Sequence, residues 1–118
     1  MDAVREIVLV GERGQVVCEC CQVADGFLTR LRGLLGRSRL DRGAGMLFEP
    51  GNSVHTIGMC FPIDVLYLDR DLTVLKVVQR LRPWRLSACR RAHVVLELAA
   101  GECERLALAV GDRLSASG

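Results

Sequence analysis

Short apolar runs broken by turn residues dominate the chain, and their lengths predict a β-rich domain. Val4 to Val10 and Val16 to Val23 are rich in β-branched residues, and the two glycines of the intervening Gly-Glu-Arg-Gly-Gln suit a hairpin between antiparallel strands. From Asp25 the period changes. Phe27, Leu28, Leu31, Leu34 and Leu35 recur at helical spacing, with Asp25 as a cap and Gly36 as a left-handed stop, predicting an amphipathic helix of about three turns. Met46 to Glu49 forms a short strand ending at Pro50, a residue that cannot extend a central ladder. Pro62 opens the strongest strand, Ile63 to Asp69, which turns back into Val74 to Leu81. Arg82 to Ala92 reads as a loop with the only Trp, and His93 to Ala99 as a further strand. A short helix around Glu102 and Glu104, a break at Gly111 and a last short strand close the chain.

Strands joined mainly by hairpins favour an antiparallel α+β domain over a doubly wound sheet. The expected architecture is a β-rich sheet curled into a small barrel-like core, with the main helix packed against one opening and a short C-terminal helix. The length of 118 residues fits one domain spanning 1–118.

Composition narrows the classes of partner. Sixteen basic and fourteen acidic residues leave a formal charge of +2, too weak a field to imply a polyanion, so no nucleic acid is expected as a partner. Fifteen of the basic residues are Arg and one is Lys76, a bias that suits forked anion recognition and equally a compositional habit of the source. The N-terminus carries Asp2 and Glu6 with only four consecutive apolar residues, unlike a secretory signal, and no run approaches the roughly eighteen residues of a membrane span. These features point to a cytoplasmic protein with no membrane partner and with its six Cys reduced. Strand alternation would put Cys18 and Cys20 on one face and Cys21 on the other, a poor arrangement for zinc, and no metal or other cofactor is expected.

Candidate chemistry gathers in one stretch. Asn52, Ser53, His55 and Thr56 offer donors and acceptors within five residues, in a loop running to Met59 just before the sheet is entered. Such side chains either line a cleft or satisfy the backbone of an irregular crossing. Asp64 shares a strand face with Leu66 and Leu68, so its carboxylate needs donors, and the nearest in sequence are Ser53, His55, Thr56 and the loop amides. Trp84, between Arg82 and Arg85, either stacks a planar ligand or anchors a loop over the sheet end. His93 begins a strand and reads as a structural residue. Phosphate-loop and Ser-His-Asp signatures are absent.

Five separated blocks resemble the DUF192 family of small bacterial and archaeal proteins, in the same order: TRLRGLLGRSRL, GMLFEPGNSVHTIGMCFPIDVLYLD, LRPWR, VLELAAG and VGDRL. The resemblance covers nearly the whole chain and implies a compact β-rich domain with no established activity. Gly51 departs from it, standing where relatives of this subtype often carry Cys. The functional expectation is a small binding or accessory module with a polar cleft at Asn52, Ser53, His55, Thr56, Met59 and Asp64, and Trp84 at the rim. Its ligand would be an unknown small molecule or a protein. The alternatives are a small enzyme using His55 and Asp64 as acid and base, and an interaction protein docking on a larger assembly.

Overall fold

The computed structural model describes residues 5–24 and 39–117, and the helix expected over Phe27 to Leu35 lies outside them. The elements are β1 (Arg5–Val10), β2 (Val16–Ala24), β3 (Ala44–Phe48), β4 (Ser53–His55), β5 (Ile63–Leu68), β6 (Val74–Leu81), β7 (Leu86–Ala88), β8 (Val94–Ala99), the single-turn helix α1 (Glu102–Arg105) and β9 (Ser115–Ser117). Seven strands form one sheet in the order β6-β5-β8-β3-β2-β1-β9, while β4 and β7 form a separate two-stranded ribbon. Every pairing is antiparallel except β2 with β3.

The large sheet curls into a half-barrel. Its outermost strands are drawn together at one end, where Thr73 bridges Arg113 and the Val74 amide donates to the Asp112 carbonyl at 2.8 Å, just before the chain enters β9. Leu9, Val17, Val23, Leu47, Leu66, Leu96, Leu98 and Leu114 fill the inside of the curl, where Cys103 and Leu106 from the α1 segment join them. Ala24, Met46, Ile63, Val65, Tyr67 and Val95 occupy the other face, which packs against Val54 and Met59. Both faces of β5 are therefore covered, and all six of its residues are buried. The run Ile-Asp-Val-Leu-Tyr-Leu reads as a near-continuous apolar strand for that reason.

The cysteines depart from simple alternation. Leu9 pairs with Cys18 and Ile7 with Cys21, so two steps along β1 match three along β2. The extra residue is a β-bulge, which shifts the phase of the side chains that follow it. Cys18 and Cys21 both enter the core and Cys20 is exposed, correcting the assignment of Cys18 and Cys20 to one face. Hydrogen bonding to Cys18, with burial, pushes the Cys21 thiol well above its ordinary value. Among the described residues, no three His, Cys, Asp or Glu side chains are grouped to hold a metal ion, and no helix is long and apolar enough to cross a membrane.

Candidate functional site

The segment expected to form a polar cleft is divided among three environments. In β4 the outward residues Ser53 and His55 are exposed, whereas Val54 is buried beneath them. Thr56 and Met59 are buried as well, at 0% and 5% exposure, and belong to the support of the site. Asn52 and Ser53 line an open hollow of about 400 Å³ with Pro50, Gly51, Ala92 and His93. Ser53, Val54 and His55 line a second, of about 510 Å³, with Leu86, Ser87 and Ala88 of β7.

Thr56 is the knot of the ribbon. Its hydroxyl donates to the Arg82 carbonyl at 2.6 Å and accepts from the Arg85 amide at 2.8 Å. Its own amide donates to the Arg85 carbonyl, while its carbonyl accepts from the amides of Trp84 and Met59. Trp84 is thereby held at φ 64, a left-handed conformation uncommon for a bulky residue and one that persists only when its surroundings enforce it. The side-chain bonds explain why a β-branched hydroxyl stands here. Replacing Thr56 with Val keeps the shape but removes the partner of two partly buried backbone groups, so Thr56→Val should lower stability by about 1–3 kcal/mol. Amide exchange should quicken first between Arg82 and Leu86, and Thr56→Ser should restore most of the loss; a silent Thr56→Val variant would remove this account of the ribbon.

The ribbon is seated on the large sheet by Tyr67, whose hydroxyl lies 2.9 Å from the Ser87 hydroxyl, and by Lys76, whose Nζ donates to the Ala88 carbonyl at 2.9 Å. Burial pushes the Tyr67 phenol above its ordinary value. On the outward side three large apolar side chains meet water: Ile57 at 44% exposure, Trp84 at 65% and Leu86 at 75%. Leu86 stands opposite His55 in the register, and Ile57 and Trp84 flank Thr56 and Arg85. Scattered apolar residues are ordinary on a surface, but these three are chain neighbours of one five-bonded junction. Arg82 and Arg85 are exposed beside it, while Arg91 lines a hollow of about 390 Å³ with Asp69, Asp71 and His93; no acidic residue occurs in sequence between Arg82 and His93, and Glu49 alone is acidic between 49 and 62.

Asp64 takes no part in this surface. Along β5 the odd positions Ile63, Val65 and Tyr67 face the ribbon, and the even positions Asp64, Leu66 and Leu68 face the inside of the curl. Its two oxygens accept the Arg80 amide and the Cys103 amide, each at 2.8 Å. The expectation that the loop at 52–59 supplies its donors is thus corrected, and His55 and Asp64 do not meet as an acid and base pair. Trp84 and His55 do share the ribbon. Sequence reasoning missed Ile57 and Leu86, because both fall in stretches read as loops, where an isolated apolar residue carries no sign of its exposure. It also missed His93, which lines the smaller hollow.

Fold and site together define a small β-rich domain, a curled seven-stranded sheet bearing an apolar, basic ribbon on its outer face. The chain belongs to the DUF192 family, described as an uncharacterized ACR, which it matches over residues 8–116. A UPF0127 protein of Pyrococcus abyssi is 31% identical over 100 residues, covering 79% of this chain and 82% of that protein. A Sinorhizobium meliloti 1021 protein described as a putative transcription regulator has a similar crystal structure, with a TM-score of 0.83 and 26% identity over 97% of this chain and 94% of that one. A protein of unknown function from Novosphingobium aromaticivorans shares the fold, with a TM-score of 0.77 and 21% identity over 95% of this chain and 84% of that one.

Proposed function

We propose that the protein is a binding module whose ligand face is the β4–β7 ribbon, and that the ligand joins an apolar or planar body to negative charge. The observation that carries this reading is that exposed Ile57, Trp84 and Leu86 each adjoin the junction that Thr56 bonds to Arg82 and Arg85, with arginines and no carboxylate in the sequence between Arg82 and His93. Rigid scaffolds that present aromatic and Arg side chains concentrate binding energy at few positions, because little side-chain freedom is lost on contact. The apolar side chains supply contact area, and the guanidinium groups supply forked donors for a carboxylate or phosphate.

Trp84 is the only Trp of the chain, so its emission reports on this face alone. Carboxylates and phosphates carrying aromatic or alkyl groups should shift that emission to the blue and saturate. Leu86→Glu should weaken the response at least tenfold without moving the unfolding midpoint, since the side chain is 75% exposed. A panel that leaves both Trp84 emission and the ribbon amides unchanged would remove the proposal.

A further inference from the structure

We infer that the outer edge of β4 accepts an extended, acidic segment of another polypeptide as a third strand of the ribbon. This rests on the ribbon being the ligand face and specifies what kind of ligand it takes. The backbone gives the first reason. The Cys89 amide donates to the Asn52 carbonyl and the Thr56 amide to the Arg85 carbonyl, so the antiparallel alternation makes Val54 and Ser87 the bonded pair between them. Ser53 and His55 consequently turn their N–H and C=O groups away from β7, along an edge on which this ribbon has no further strand among the described residues. The far edge of β7 differs, because Lys76 Nζ already occupies the Ala88 carbonyl.

The hollows give the second reason. One is lined by β4 together with β7, the other by Asn52 and Ser53 with His93, so Ser53 stands at the border of both. Side chains of an added strand need depressions to receive them, and the receiving strand borders one hollow along its length and another at its start. Charge gives the third. Exposed Arg82 and Arg85 are bonded through their backbones to Thr56 at the ribbon, and the segment from Arg82 to His93 contains no carboxylate, which favours an incoming strand rich in Asp or Glu. A lipid surface would use the apolar tips and arginines but leave the strand edge and hollows without a role. Single-stranded nucleic acid would stack on Trp84 but gain nothing from Leu86, Ile57 and the outward backbone groups.

The test uses the whole protein and a capped peptide of about seven residues alternating Glu with Val or Leu, a length typical of added strands. Trp84 emission and backbone amide shifts are read. The acidic peptide should bind saturably, and exchange of the Ser53 and His55 amides should slow at least tenfold. Methylating the peptide nitrogens on the side that faces β4 should cost at least tenfold in affinity. Arg85→Glu should weaken the acidic peptide at least tenfold and improve the Lys-for-Glu version, a reversal that a merely unfolded variant would not give. Equal binding by the methylated peptide would overturn strand addition, as would a response to phosphatidylserine vesicles or to a thymidine oligonucleotide but not to the peptide. If small carboxylates shift Trp84 and the peptide does not, the strand inference falls while the ribbon remains the ligand face. If nothing shifts it, both fall.

Discussion

Asp64→Ala is expected to be the most damaging single change among the polar residues, lowering stability by about 2–6 kcal/mol. The side chain is fully buried, and its two oxygens serve different parts of the fold. One accepts the Arg80 amide, where Arg80 sits at φ 52 in a bulge between the pairs Ile63–Leu81 and Val65–Val78. The other accepts the amide of Cys103 at the start of α1. A bulge leaves its extra residue outside the ladder, and the first amides of a helix have no partner within it. Asp64 satisfies one group of each kind, so its removal buries two donors without acceptors at about 1–3 kcal/mol apiece. Typical domains have only about 5–15 kcal/mol in total, so the variant should melt far earlier and α1 should exchange its amides faster than the ribbon does. Asp64→Asn, which keeps one acceptor, should fall between the two. His55→Ala, on the exposed ribbon, should stay within about 0.5 kcal/mol. Equal losses for Asp64→Ala and His55→Ala in urea melts would show that this division of labour is mistaken.

Glu97→Gln is expected to stabilise the protein at pH 8 by about 3 kcal/mol and to leave stability at pH 4 nearly unchanged. Glu97 lies on β8 between Met46 and Val65 in the register, at 6% exposure, and burial pushes its carboxyl from 4.5 up to about 7. A carboxyl raised in the folded state binds its proton more tightly there than in the unfolded chain. Its stabilising effect is complete below about pH 4.5, declines as pH rises, and is lost once the folded carboxyl has ionised near pH 7. The wild-type protein should therefore lose stability between those limits, and the Gln variant should lose much less. Urea melts at pH 4, 6 and 8 decide the matter: parallel stability curves for the two proteins would mean that Glu97 is solvated in the folded state.

The two carboxylates show how far a strand pattern reaches. Asp64 was legible as an anomaly, because period-2 alternation alone places it with Leu66 and Leu68. Its partners were not, because Arg80 and Cys103 are 16 and 39 residues away and are brought to it only by the bulge in β6 and the placement of α1. Glu97 gave no signal at all. In Val-Val-Leu-Glu-Leu-Ala it reads as the solvent-facing residue of a half-buried strand, and it is buried because β8 lies between β3 and β5 with both faces covered.

Local chemistry determined where most strands run, since β-branched runs, hairpin glycines and Pro50 and Pro62 act on the backbone within a few residues. It also carried the family, through motifs spread along the chain. Phase and direction were decided elsewhere. One extra residue in β2 reversed which cysteines face the core, and the parallel pairing of β2 with β3 arose between strands separated by nineteen residues. The candidate site depended on the same long-range choices. Thr56 looked like a ligand contact and became a structural knot, while Leu86, read within a loop, became an exposed residue of a strand, because the tertiary fold lays the β4–β7 ribbon on the outer face of β5. Burial is a property of what lies across from a residue, and in a sheet that neighbour is set by register, which no local pattern records.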